Sequence, residues 1–305
     1  MITFNFPVFV LLLILGFNAE LVEAHTKPNS RVVLCSTSLF ADLVSTICDS
    51  DCEALSLIPK GLDPHLFELR PNALRNLPTP ILVVYNGGGF EPWLDSLLST
   101  KFKMIPQLKL LSQLQLTLKP QADFSTEIDP HAWLSPQNGA RYYQSIAEKL
   151  GELFPEKKVL FRNRAQQIQL ALSARAGHWR KEFSEFKSKK ILTSHDAFQY
   201  FAKDFGLEIV SAQGWSTNSE IKPKSLALLI GRIKAEKIRV LFLETSANSK
   251  IIEQIARSTG TVIGGTLNPD NLTPKVSSYL TLIDTNAEII FTALRKAQEA
   301  GGSGL

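Results

Sequence analysis

The sequence predicts an α/β fold of two lobes, each a parallel sheet flanked by helices, joined by a single long helix. Three observations predict it. Short, nearly all-apolar runs such as Val32-Val33-Leu34-Cys35 and Ile81-Leu82-Val83-Val84-Tyr85 alternate with helical segments, as parallel strands buried on both faces do. The alternation occurs twice, once before Pro136 and again after Lys189. Between the two, positions 156–186 run without proline, about 31 residues or roughly 46 Å at 1.5 Å per residue, and carry no sustained heptad seam.

In chain order, a strand over 32–35 leads into a helix over 39–47 and a short strand over 54–58. A helix over 71–77 precedes the apolar strand 81–85, which Asn86-Gly87-Gly88-Gly89 ends, and a helix over 90–98 follows. The segment 137–153 is amphipathic and helical, and Pro155 suits the first turn of the long helix. In the second half, strands fall at 190–194, 207–212, 240–243 and 261–267, and helices at 197–205, 224–236, 249–259 and 277–299. This divides the chain into an N-terminal lobe (25–154), a linker helix (155–187), a C-terminal lobe (188–300) and a flexible Gly/Ser tail (301–305).

Residues 1–24 read as a cleavable secretory signal, which implies export to the periplasm. An apolar run over 8–17 is followed by the small-residue pattern Val22-Glu23-Ala24. The run is too short to span a bilayer, which takes about 20 apolar residues. No Lys or Arg precedes it, so a buried N-terminal strand is the competing reading. No Cys stands at the cleavage point, which argues against a lipid anchor there. No later segment is long and apolar enough to cross a membrane.

With 44% hydrophobic and 20% charged residues the chain is neither disordered nor fibrous. Its +4 formal charge is spread along the sequence rather than gathered into a stripe, which argues against a nucleic-acid partner and says little more about partners. Lys187, Lys189 and Lys190, the densest basic run, read as a solvated linker. Cys35 lies in an apolar strand and reads as a buried free thiol. Cys48 and Cys52 flank Asp49-Ser50-Asp51 and either pair in an oxidising compartment or remain two thiols.

Chemistry concentrates in the histidines. Of five, His25 and His178 read as surface residues, whereas His65, His131 and His195 fall in loops beyond strands, where open α/β sheets bind ligands. His65 and His131 share the context Asp-Pro-His (Asp63-Pro64-His65, Asp129-Pro130-His131). Proline stiffens each loop, and the aspartate two residues upstream is placed to bond either the ring nitrogen that does not hold metal or local backbone. One such tripeptide is equally a turn with a surface His; two are harder to dismiss. The contiguous Ser194-His195-Asp196 is no catalytic triad, because adjacent side chains point in different directions. A fourth donor is expected after the last strand, from Asp270, with Asn268 the competing and poorer neutral candidate. Three imidazoles and a carboxylate suit Zn²⁺ or Mn²⁺, zinc being favoured on raw affinity.

Four stretches carry a wider likeness: Pro59-Lys60-Gly61-Leu62-Asp63-Pro64-His65, Tyr85-Asn86-Gly87-Gly88-Gly89-Phe90-Glu91-Pro92-Trp93-Leu94, Asp129-Pro130-His131-Ala132-Trp133-Leu134-Ser135-Pro136 and Ser194-His195-Asp196-Ala197-Phe198-Gln199-Tyr200-Phe201. Through them nearly the whole mature chain resembles the zinc/manganese-type solute-binding proteins of ABC importers. The resemblance implies two α/β lobes joined by one rigid helix, with one metal ion per chain held between them by His65, His131, His195 and Asp270. It implies hydrogen-bonding roles for Glu220 and Glu244, and delivery of the ion by a monomer to a membrane ABC permease. The segment 110–127 has no His, unlike the His-rich loop of many zinc-specific members, and His195 stands where some manganese-specific members have Glu, so the metal stays open between zinc and manganese. Capture requires neutral imidazoles, so affinity is expected to fall as pH drops through about 6.5. The long helix predicts only modest lobe motion.

Two rival readings differ in class. A zinc hydrolase needs an open metal position and a general base; Glu244 is the available base, but there is no His-Glu-x-x-His helix and Asp270 would close the site. An adhesin-like surface protein on the same scaffold needs an exposed apolar patch.

Overall fold

The computed structural model describes residues 31–69, 75–116, 128–214, 216–217, 222–245 and 249–302. The expected signal segment, His25, Glu220 and most of the helix expected over 71–77 lie outside these residues.

Two four-stranded parallel sheets form the frame. The first contains β1 (Val32–Thr37), β2 (Glu53–Ile58), β3 (Leu82–Tyr85) and β4 (Gln107–Lys109) in the order β2-β1-β3-β4. The second contains β5 (Lys190–Thr193), β6 (Glu208–Ser211), β7 (Val240–Glu244) and β8 (Val262–Leu267) in the order β6-β5-β7-β8. In both, the chain steps outward once and then crosses to the other side of its first strand. That reversal opens a crevice beyond the carboxyl ends of the strands.

Successive strand residues face opposite sides, and the apolar runs exploit both. Val33 and Cys35 of β1 join the main core, while Leu34 joins a separate cluster with Leu57, Val83, Leu94, Leu97 and Phe102. Ile191 of β5 likewise faces the main core, and Leu192 packs with Val210, Ile233, Leu241, Ile252 and Ile255. The main core draws on both sheets, which makes the described chain one packed body. At the edge the rule fails: β8 leaves Val262 and Ile263 exposed.

Helix α1 (Ser38–Cys48) begins where Thr37 Oγ1 accepts the Phe40 N–H, and it buries Leu39, Phe40, Leu43, Val44 and Ile47. A short α2 (Asp95–Ser99) follows a 3-10 turn at Pro92–Leu94. The longer helix expected over 90–98 is absent because Phe90 and Glu91 are drawn into the interior. Ser135 caps α3 (Pro136–Leu153) by accepting the Asn138 N–H, with proline at the first turn.

The long helix α4 (Lys158–Ser184) has 27 residues, roughly 40 Å at 1.5 Å per residue. Its buried stripe is Phe161, Ala165, Leu172, Ala176, Trp179 and Phe183, with partly buried Ile168 packed against the core. That seam escaped the sequence reading because Val159, Leu160 and Leu170 put apolar residues on the solvent face. Arg164 Nη1 donates to the Ile47 carbonyl at the end of α1 (2.7 Å), and Arg175 and Trp179 bond Asp284 of α8 (Tyr279–Gly302) at 2.8 and 3.0 Å. The helix is therefore fastened to both halves.

The remaining helices are α5 (Gln199–Phe205), α6 (Pro223–Ala235) and α7 (Ser249–Thr259). Helix α5 starts later than expected because Ala197 N–H bonds back to the His195 carbonyl (3.0 Å) in a turn, so Asp196 does not begin the helix. Strand β4, with one buried residue in three, had no legible pattern. Lys190 is not in a solvated linker: it opens β5 and pairs with Glu208 and Glu236. Cys48 and Cys52 form a disulfide, and Cys35 is a free, buried thiol whose pKa burial raises.

Candidate metal centre

Each of the four sequence-selected residues lies in a loop beyond a strand, and the structure brings all four together. The Nε2 atoms of His65 and His131 are 3.4 Å apart. Asp270 Oδ1 lies 3.7 Å from His65 Nε2 and 3.5 Å from Nε2 of both His131 and His195. One donor atom from each residue falls within 4.8 Å of all the others. Four donors around an ion at about 2.0–2.1 Å stand roughly 3.3–3.4 Å apart in a tetrahedron; the four distances above, 3.4–3.7 Å, are close to that size, and the remaining two lie within 4.8 Å. The His131 and His195 rings are fully buried, and the His65 and Asp270 side chains are 3% and 1% exposed.

The two Asp-Pro-His tripeptides do different work. Asp129 Oδ1 accepts both the His131 backbone N–H (2.9 Å) and its ring Nδ1 (2.8 Å), so the ring turns Nε2 to the centre. Asp63 Oδ1 accepts only the His65 backbone N–H (2.8 Å), and its Oδ2 takes the Thr217 hydroxyl from the C-terminal half (2.7 Å). For His195 the orienting carboxylate is Glu244 at the end of β7, beside β5 in the sheet. Glu244 Oε2 bonds the ring Nδ1, and Oε1 accepts the Ser194 N–H at 2.9 Å. Ser194 Oγ and Asp196 turn elsewhere, to the Phe242 carbonyl and Gln199, which confirms that this tripeptide is no triad.

The backbone N–H and carbonyl of Asn268 are held by the Asn286 amide of α8 (2.8 and 2.9 Å), an anchor two residues before Asp270, whose carboxylate faces the three histidines. His178 is exposed on α4, as expected of a surface residue.

Several supporting residues were not assigned a role from the sequence. Asn86 Nδ2 holds the Pro130 carbonyl (2.9 Å), and Tyr142 donates to its Oδ1 (2.7 Å). Glu91 accepts the Asn86 and Gly87 N–H groups and the Ser36 hydroxyl. Burial outweighs these hydrogen bonds and pushes the Glu91 pKa up to about 7. Gly88 has φ +68°, and a Cβ there would come within 2.4 Å of Leu111 and 3.6 Å of Pro130, so only glycine fits. The Asn86-Gly87-Gly88-Gly89 run, read in the sequence as a strand end and as part of the family likeness, packs against the loop of His131 at Pro130.

Electrostatics match a cation site. Burial lowers the pKa values of His131 and His195, but the carboxylates facing them prevail and hold both above the ordinary value: Asp129 and Asp270 for His131, Glu244 and Asp270 for His195. Asp270 is buried, which raises its pKa, yet the three imidazoles hold it well below the carboxylate range. His195 Nε2 is buried with no hydrogen-bond partner among the described residues. Leaving such a nitrogen unsatisfied costs about 1–3 kcal/mol, which a bound cation would recover.

A frame of two parallel sheets with a buried three-histidine, one-carboxylate cluster defines the class of two-lobed metal-binding proteins. The chain belongs to the family described as zinc-uptake complex component A, periplasmic, whose model matches residues 33–293. It is 27% identical over 294 residues to a zinc-binding protein of Treponema pallidum, covering 92% of this chain and 93% of that one. It is 26% identical over 296 residues to a metal ABC transporter substrate-binding lipoprotein of Lactococcus lactis, covering 93% and 94%. The solved periplasmic zinc-binding protein of Treponema pallidum superposes with a TM-score of 0.80 at 25% identity, covering 87% of this chain and 99% of that one.

Proposed function

We propose that this chain is an extracytoplasmic solute-binding protein that captures one divalent transition-metal ion, Zn²⁺ or Mn²⁺, and delivers it to an ABC-type import permease. The ligands are His65, His131, His195 and Asp270. The single observation that carries the assignment is the convergence of their donor atoms within 4.8 Å of one another at a buried point. Family membership supports the transport role.

The protein does no chemistry on its cargo. Four protein donors close the coordination shell, and Glu244, the base the hydrolase reading would use, is engaged with His195 and the Ser194 backbone. Residues 25–154 and 188–300 act as the two metal-binding lobes and 155–187 as the linker helix. Export by a signal over 1–24 and action as a monomer complete the reading.

The test is native mass spectrometry with metal analysis of the exported protein, alongside His65→Ala and His131→Ala. One tightly held ion per chain, lost in both variants, supports the assignment. Retention of the ion by both variants overturns it.

A further inference from the structure

The loops of His131 and His65 are both tied across the two halves, by different means. The loop of His131 is held by Asn86 of its own half and, from the other, by the Tyr200 hydroxyl on the Asp129 carbonyl (3.0 Å) and by Trp133 Nε1 on the Pro269 carbonyl (2.8 Å). The loop of His65 is gripped by Asn271, the residue next to Asp270. Asn271 Nδ2 donates to the carbonyls of Pro59 (2.9 Å) and Leu62 (3.1 Å). Its Oδ1 accepts the Ser38 hydroxyl (2.6 Å) and the Leu272 N–H (3.0 Å). Gly61 N–H closes the contact by bonding the Leu272 carbonyl at 2.7 Å. A side-chain amide has two donors and one two-lone-pair acceptor, so Asn271 is fully used, and it is buried.

Only two residues, the stiff pair Asp63-Pro64, separate Leu62 from His65. From the near half, the described residues give the loop a hydrogen bond from Trp93 Nε1 to the Pro64 carbonyl (3.2 Å) and a perpendicular contact between the His65 and Phe90 rings. We propose that Asn271 is a positioning residue for the ion: by gripping the Pro59 and Leu62 carbonyls from beside Asp270, it makes His65 and Asp270 engage and release the ion as a coupled pair. This rests on the metal-binding reading above. Loss of the amide leaves the loop of His65 tied across by the Gly61 N–H on the Leu272 carbonyl and the Thr217 hydroxyl on Asp63, so His65 is held less firmly and the ion loses it more readily than the other three donors.

The probe is Co²⁺ bound to the full chain, whose visible absorption reports coordination, with its loss to excess chelator followed in time. Wild type, Asn271→Ala, Asn271→Asp and His65→Ala are compared, and each metal-free melting temperature is recorded. Asn271→Asp preserves shape while removing both donated hydrogen bonds. Both Asn271 variants are expected to bind one Co²⁺ with the weakened absorption of His65→Ala and to release it at least about tenfold faster than wild type, as orienting residues around metal sites do. Wild-type absorption and release in either folded variant overturns the proposal, even if its melting temperature falls. Loss of the fold in both variants also overturns it, making Asn271 a folding residue. Failure of wild type itself to bind Co²⁺ sinks the metal-binding reading rather than the role of Asn271 within it.

Discussion

Glu244 and His195 stand 49 positions apart in the chain, yet the carboxylate at the end of β7 bonds the imidazole Nδ1 just beyond β5. Because Nδ1 is occupied, Nε2 is the atom that faces Asp270, at 3.5 Å. A negative partner on the far nitrogen also raises the basicity of the near one. Glu244→Gln retains the shape and removes the charge. Metal affinity measured by chelator competition should fall about 10–100-fold, with one ion still bound per chain. Unchanged affinity would show that the pair is structural.

The Asp-Pro-His tripeptides provide an internal comparison. Asp129 bonds the His131 ring, whereas Asp63 bonds the His65 backbone and Thr217 rather than the His65 ring among the described residues. Asp129→Asn should therefore weaken equilibrium metal binding by about tenfold or more, and Asp63→Asn should weaken it less. Equal losses would mean that both aspartates act only by shaping their loops.

Proton competition sets the pH dependence. His131 and His195 have raised pKa values in the metal-free protein. Their contribution to its stability is present below the unfolded histidine value of about 6.5 and is lost as pH rises through the higher folded values. Asp270, held low, contributes above the unfolded aspartate value and loses its contribution as pH falls through its folded value. The ion needs neutral imidazoles, so competition begins above the ordinary histidine pKa, higher than sequence alone suggested. The melting-temperature gain from saturating Zn²⁺ should widen between about pH 6 and about pH 8. A gain that narrows over that range would contradict the histidine ligand set.

The disulfide is remote in role from the ion. Cys48–Cys52 closes a small loop whose Asp49 and Asp51 pair with Arg164 and Lys157 beside α4. Replacing both cysteines by serine should cost about 2 kcal/mol by loop entropy, read as a lower melting temperature. Metal affinity should be unchanged; an altered affinity would mean that this corner is coupled to the site.

Much of the centre was legible because its ligands carry local signatures. Stiff Asp-Pro-His loops, a histidine directly after an apolar strand and a carboxylate after the last strand all stand out in a linear reading. What supports them was not. Asn86, Glu91, Thr217 and Asn271 are ordinary loop residues in sequence, and each acts on a partner brought near by the fold. The stripe on α4 and the short strand β4 were obscured for a related reason, since packing rather than periodicity decides their buried faces.

By itself the sequence determined the alternation that builds two parallel sheets, the long helix between them and the identity of the four candidate donors, since strand apolarity and loop stiffness are local properties. Only the tertiary structure decided which carboxylate orients which imidazole, that Asp270 faces all three histidines, and that Cys48 pairs with Cys52. The physical reason is that a hydrogen bond between groups far apart in the chain depends on where the sheets and helices bring those groups, and no local pattern records that distance.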